Sequence, residues 1–148
     1  MDINTIKNLR EETGAGVMDA KKALEEANGD LSKAKEILKA KGIEKAVKKS
    51  EREIKSGKVF SYSHSTGTVG SLIKLGCETD FVAKNEEFTK LGNEIAMQVA
   101  AMDPKNIEEL LDQDYIRDSS KKIKDLITSA VSKTGENITL AEISRFAL

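Results

Sequence analysis

The stretch Lys58-Val59-Phe60-Ser61-Tyr62-Ser63-His64-Ser65-Thr66-Gly67-Thr68-Val69-Gly70-Ser71-Leu72-Ile73-Lys74-Leu75-Gly76-Cys77-Glu78 decides the fold. Phe60, Tyr62 and His64 alternate with Val59, Ser61 and Ser63, the two-residue period of a strand. Thr66-Gly67-Thr68 supplies a turn, and Val69, Ser71, Ile73, Leu75 and Cys77 line one face of a second strand. Residues 58–78 therefore read as a β-hairpin. The chain on either side has a helical period. That change of period predicts an α+β core, a small antiparallel sheet with helices packed on it.

Downstream, the alternation ends in Thr79-Asp80-Phe81-Val82-Ala83-Lys84-Asn85. A helix follows with Phe88, Leu91, Ile95, Val99 and Met102 on one face, and Asp103-Pro104 ends it. Asn106-Ile107-Glu108-Glu109 resembles a capping box opening a short helix. Another helix carries Ile123, Leu126, Ile127, Ala130 and Val131 and stops at Gly135. Asn137 to Leu148 reads as a third strand whose alternation breaks near Ala141-Glu142.

Upstream, three short amphipathic helices form a mini-bundle over residues 1–42. Ile3, Ile6 and Leu9 share a face, with Gly14 suited to a left-handed C-cap. Val17, Ala20, Leu24 and Ala27 repeat at helical spacing. Asp30 is an N-cap for a third helix with Leu31, Ala34, Ile37 and Leu38, closed by Gly42. Residues 43–57 carry no tidy apolar stripe and read as an exposed helical linker. The core domain then spans 58–148. From Lys39 to Lys58 eight Lys/Arg face three Glu, which favours a solvated helix face over a phosphate site.

Composition narrows the function. The chain has 148 residues, 39% of them apolar and 33% charged, which suits a globular protein. No run approaches the ~18 apolar residues of a membrane span. Met1-Asp2-Ile3-Asn4 lacks the basic and apolar regions of a secretory signal. Cys77 is the single cysteine, so an intramolecular disulfide is excluded, and the expected compartment is the cytoplasm. A net charge of −1 and 4% aromatics with no Trp argue against a dedicated nucleic-acid binder.

Enzymatic motifs are weak. Gly14-x-Gly16 lacks the third glycine and the preceding strand of a dinucleotide fingerprint, and no Walker A sequence is present. Ser119-x-x-Lys122 with Lys133-Thr134-Gly135 lacks the Ser-Asp-Asn element of a penicillin-binding-type site. Cys77 with His64 spells a thiol and a base, but Cys77 falls on the apolar strand face, where it reads as a small buried hydrophobe. One Cys and one His are too few for a structural zinc site. No metal or cofactor is expected.

Two features stand out. At ~100° per residue, Met18 lies about 140° from the middle of the Val17/Ala20/Leu24/Ala27 stripe, projecting beside Lys22 next to a glycine-rich turn. Asp80-Phe81 occupies the connection between the hairpin and the following helix. Phe81 there either staples that helix or reaches outward into a partner.

Three segments carry a resemblance. Leu9-Arg10-Glu11-Glu12-Thr13-Gly14-Ala15-Gly16-Val17-Met18-Asp19-Ala20-Lys21-Lys22-Ala23-Leu24, then 77–85, then Gly135-Glu136-Asn137-Ile138 are similar, in order, to the signatures of the elongation factor Ts family. The resemblance implies a ubiquitin-associated-like N-terminal module and a factor that expels guanine nucleotide from elongation factor Tu without chemistry of its own. It implies that Asp80 and Phe81, flanked by Thr79 and Val82, enter beside the partner's switch region and magnesium site. The helix bearing Val17, Met18 and Lys22 would lie against the same partner domain. Longer members carry the core motif twice, so the resemblance implies that a single copy pairs with a second chain. The third strand offers an edge for such a non-covalent homodimer, and Ile143, Phe146 and Leu148 are expected either at its interface or packed inside the monomer. The rival readings are a ubiquitin-associated-like adaptor or ribosome-associated chaperone factor, and a thiol hydrolase acting through Cys77.

Overall fold

The computed structural model describes residues 2–148. The N-terminal helices are α1 (Ile3–Thr13), α2 (Val17–Glu26) and α3 (Leu31–Lys49). Asp2 and Asp30 cap α1 and α3 by accepting from the backbone N–H of Asn4 and Lys33, and Gly14 ends α1 at φ 72°. Their small core is Leu9, Ala20, Ala23, Leu24, Ala27, Ala34 and Leu38.

Gly42 does not close the third helix. The helix runs through it to Lys49, because at this point α3 crosses the later helix α7 (Ile123–Thr134). A Cβ on Gly42 would stand 3.3 Å from Ser132 Oγ. The glycine therefore serves close approach, at the modest helix penalty of ~1 kcal/mol that tertiary contact overrides. Lys39 Nζ, 3.6 Å from Asp125, ties the same crossing from its surface. Residues 43–49 of the expected linker are thus helical, and residues 52–55 lead without regular structure into the sheet. Of the eight cations between Lys39 and Lys58, Lys39, Lys45, Lys48, Arg52 and Lys55 sit 2.5–3.7 Å from carboxylates, consistent with a solvated, charge-paired face.

The core sheet holds β1 (Ser56–Ser63), β2 (Val69–Cys77) and β5 (Ile138–Ala147) in the order β1-β2-β5, all antiparallel. The fold is α+β. The hairpin register pairs Ser56 with Cys77 and Ser63 with Gly70. Lys74 pairs with Glu142 and Leu75 with Leu140, so Ala141 is an extra residue, a β-bulge. This is the physical source of the broken alternation in the last strand. It returns Ile143 to the core face, opposite Ile73, three residues after buried Leu140.

Helix α5 (Glu86–Met102) lays Phe88, Leu91, Ile95 and Val99 on that face, and the rings of Phe60 and Phe88 meet at 5.8 Å. Helix α7 adds Ile123, Ala130 and Val131, and α6 (Ile107–Asp112) adds Leu110. Between them lies a small hairpin, β3 (Asp114–Tyr115) with β4 (Asp118–Lys122), which the sequence did not announce. Every β4 residue is exposed and polar, so no alternation marks it. Buried Gln98 holds it instead: its amide donates to Gln113 Oε1 and Asp114 O, both at 3.1 Å, and its carbonyl accepts from Ile116 N at 3.0 Å. The opposite sheet face carries no helix and exposes Val59, Leu72 and Phe146.

Gly92 lies under Phe60. An added Cβ would meet three ring carbons at 2.2–2.4 Å. On an exposed helix surface Gly→Ala gains ~1 kcal/mol. Here overpacking is expected to reverse the sign, so that Gly92→Ala destabilises by about 1–3 kcal/mol. Urea unfolding decides it, and a midpoint at or above wild type would show that the Phe60 ring gives way freely.

Candidate partner-binding site

Two sequence-derived elements are exposed, and the fold brings both to the C-terminal end of α7. The first is the turn after β2. Thr79 is the N-cap of a one-turn helix α4 (Asp80–Ala83), its hydroxyl oxygen accepting from Val82 N at 3.4 Å. Val82 and Ala83 are buried in the core. Asp80 and Phe81 point the other way, and Phe81 is 83% exposed. The stapling role therefore falls to Val82, and Phe81 stands in solvent. Asp80 has Lys84 3.8 Å away on the surface.

The turn is anchored from behind by the segment that follows α7. Glu136 Oε1 accepts from Glu78 N at 3.1 Å and Thr79 N at 2.9 Å, while Glu136 Oε2 accepts from the Thr79 hydroxyl at 2.6 Å. Glu78 Oε2 returns the contact by accepting from Asn137 N at 2.6 Å. The buried Asn137 amide donates to the carbonyls of Ser50 at 3.3 Å and Arg52 at 2.9 Å. The strand, the turn and the chain leaving α3 thus meet at Glu136-Asn137. Nothing local in the sequence gives these two residues a role, because no local pattern reports a partner 57 residues away.

The second element is the start of α2. Met18 is 62% exposed and Lys22 is exposed. Val17 is half-exposed and leaves the stripe in which the sequence placed it; as the first residue of α2 it lies beyond the small core, which uses Ala20, Ala23, Leu24 and Ala27. The preceding turn rests on α7: a Cβ at Gly14 would collide with Lys133 Cγ at 2.5 Å, and Lys133 Nζ lies 3.5 Å from Glu87 in the first turn of α5. Asp19 is tied to Lys45 of α3 at 2.5 Å, and that bond with the lysine's charge holds its carboxyl below the usual range.

Cys77 is fully buried. Burial pushes its thiol up, the nearby Glu136 charge adds to this, and the S–H donates to Thr79 O at 3.2 Å. His64 lies past the far end of the hairpin, roughly 26 Å away by strand rise, so the two cannot act as nucleophile and base. Among the described residues no three His, Cys, Asp or Glu side chains converge as metal ligands would. None of the described helices is long and apolar enough to cross a membrane.

The region from the anchored turn to the C-terminus, residues 78–148, matches the family model described as Elongation factor TS. A relative from Leptospira biflexa serovar Patoc named Elongation factor Ts is 42% identical over 186 residues, covering 95% of this chain and 94% of its own. Another of that name from Petrotoga mobilis is 40% identical over 193 residues, covering 100% and 98%. This chain belongs to the elongation factor Ts family.

It is therefore a translation elongation factor. The alignments exceed the 148 residues of this chain, so these relatives carry internal residues that it lacks. The match to the family model includes both halves of the anchored turn, Thr79 to Val82 and Gly135 to Asn137.

Proposed function

We propose that this protein binds elongation factor Tu in the cytoplasm and accelerates loss of its guanine nucleotide, acting by binding, with no cofactor and no nucleic-acid contact. The observation that carries this reading is Phe81, a large aromatic held 83% exposed on a turn whose flanking residues are anchored. Asp80 and Phe81 enter beside the partner's switch region and magnesium site, presented by Thr79 and Val82. Val17, Met18 and Lys22 grip the same partner domain. An exchange factor works by favouring the nucleotide-free partner, and the weakening is reciprocal. Burial of one Phe is worth about 1.5–3 kcal/mol, tenfold to a hundredfold. Displaced magnesium coordination and the second contact must supply the rest. Release of labelled GDP from purified elongation factor Tu is the test; release at the spontaneous rate with this protein in excess would refute the reading. An adaptor built on the three-helix module leaves the anchored Phe81 without a task.

Contacts of the N-terminal module should act through affinity. Met18→Ala and Lys22→Ala are each expected to weaken association by roughly threefold to tenfold, as exposed contact residues do. The melting temperature should stay put, because neither side chain is buried. Calorimetric titration of the two variants settles it, and unchanged affinity would remove α2 from the interface.

The open sheet face supports a non-covalent homodimer. Phe146, 75% exposed, lies opposite Gly70, with Leu72 and Val59 on the same face. Ile143 packs partly buried on the core side, the second of the two placements open to it from the sequence, while Phe146 stays exposed. Two-fold pairing covers such a face in the simplest closed way. Phe146→Glu should convert a dimer at micromolar concentration into a monomer by sedimentation, and a wild-type monomer would defeat the assembly.

A further inference from the structure

We infer that Glu136 is a positioning residue for nucleotide release, holding the Asp80-Phe81 turn in its inserting shape. This rests on the exchange reading above and adds to it a residue that does not itself project toward the partner. Its carboxylate takes three donors from two consecutive residues: the N–H groups of Glu78 and Thr79 and the Thr79 hydroxyl. The third has a directional consequence. With its proton committed to Glu136, the Thr79 oxygen turns its lone pairs to the Val82 N–H, which sets the N-cap of α4. Phe81 lies inside that capped turn.

Exposure makes the anchoring matter. A ring 83% in solvent has no packing to hold it. Its direction depends on the backbone that carries it, and a loose turn would have to be ordered at each encounter, which lowers affinity. The local sequence provides only partial anchorage, through buried Val82 and Ala83. Glu136 completes it from the connection between α7 and β5, and Glu78 accepting from Asn137 N closes the reciprocal pair. Because Asn137 also holds the carbonyls of Ser50 and Arg52, the same two residues register the turn against the chain leading back to the N-terminal module.

The experiment is a double-mutant cycle on GDP release from elongation factor Tu, with amide hydrogen exchange read on the free variants. Glu136→Ala is expected to slow catalysed release about tenfold, the worth of lost charge-assisted bonds. Amides 78–84 should exchange faster, while those of α5 keep their protection. In a Phe81→Ala background Glu136→Ala should cost clearly less than it does alone, since most of its effect runs through that ring and the remainder through Asp80; a merely structural role would add its full factor. Glu136→Gln retains one acceptor and a similar shape and should fall between wild type and alanine. It also serves as the test variant if Glu136→Ala does not fold. Unchanged exchange at 78–84, unchanged release, or additive losses in the cycle would each overturn the inference. If the wild-type protein fails to accelerate release, the exchange reading falls by itself, and Glu136 loses its functional role while the hydrogen-exchange arm reports only on its structural one.

Discussion

Phe81→Ala is expected to slow catalysed GDP release by about tenfold or more, the factor that burial of one aromatic ring represents, with the fold intact. The two halves of that result come from the same fact. Phe81 is 83% exposed in the free protein, so its truncation removes almost no internal packing and the melting temperature should hold. Whatever the ring contributes, it contributes in the complex. Phe81→Leu, which keeps part of the apolar area, should lose less. Stopped-flow release of fluorescent GDP measures the effect, with thermal unfolding run alongside. A variant exchanging at the wild-type rate would remove Phe81 from the mechanism. A variant that unfolds would show that the ring packs in solution, against its place in the structure.

Seven residues on, the opposite outcome is expected. Phe88 is fully buried in the first turns of α5, against Phe60 from β1. Phe88→Ala should cost about 3–5 kcal/mol, the usual penalty for deleting a buried ring and leaving a cavity. Against a total stability of roughly 5–15 kcal/mol this is a large share. For a chain of this length it lowers the melting temperature by roughly 10 °C or more. The variant should also exchange poorly, because α5 starts from the Asn85 cap directly after the Phe81 turn, and a loosened α5 no longer holds the end of that turn in place. Denaturation with urea checks the magnitude. A midpoint shift worth less than ~1 kcal/mol would mean that the core collapses around the gap at small cost. The contrast between Phe81 and Phe88, the same side chain on one short stretch, separates partner binding from folding.

Much of this protein is legible in its sequence, for reasons of local physics. Side-chain alternation over residues 58–78 sufficed for the hairpin, because a sheet with one covered face must bury every second residue. Caps at Gly14, Asp30 and Asn106 were visible because they depend on one residue's own chemistry. The angular position of Met18 followed from helical geometry alone. Other outcomes belong to the tertiary structure. Gly42 reads as a stop, yet α3 continues, because the glycine admits the approach of α7. The polar strand β4 exists because a buried amide, Gln98, satisfies the backbone of its hairpin, and no apolar pattern records that. Val17 lies on the helical stripe but outside the core, since a helix's first residue can overhang what it packs on. Phe81 reads equally as staple or probe in the sequence, whereas the fold buries Val82 and leaves the Phe81 ring in solvent. Glu136 was a letter in a motif until the fold set its carboxylate against Thr79. Periodicity and capping are properties of a few neighbouring residues, so a sequence carries them whole. Which side chain meets which across 57 residues depends on how every intervening element packs, and only the assembled core determines it.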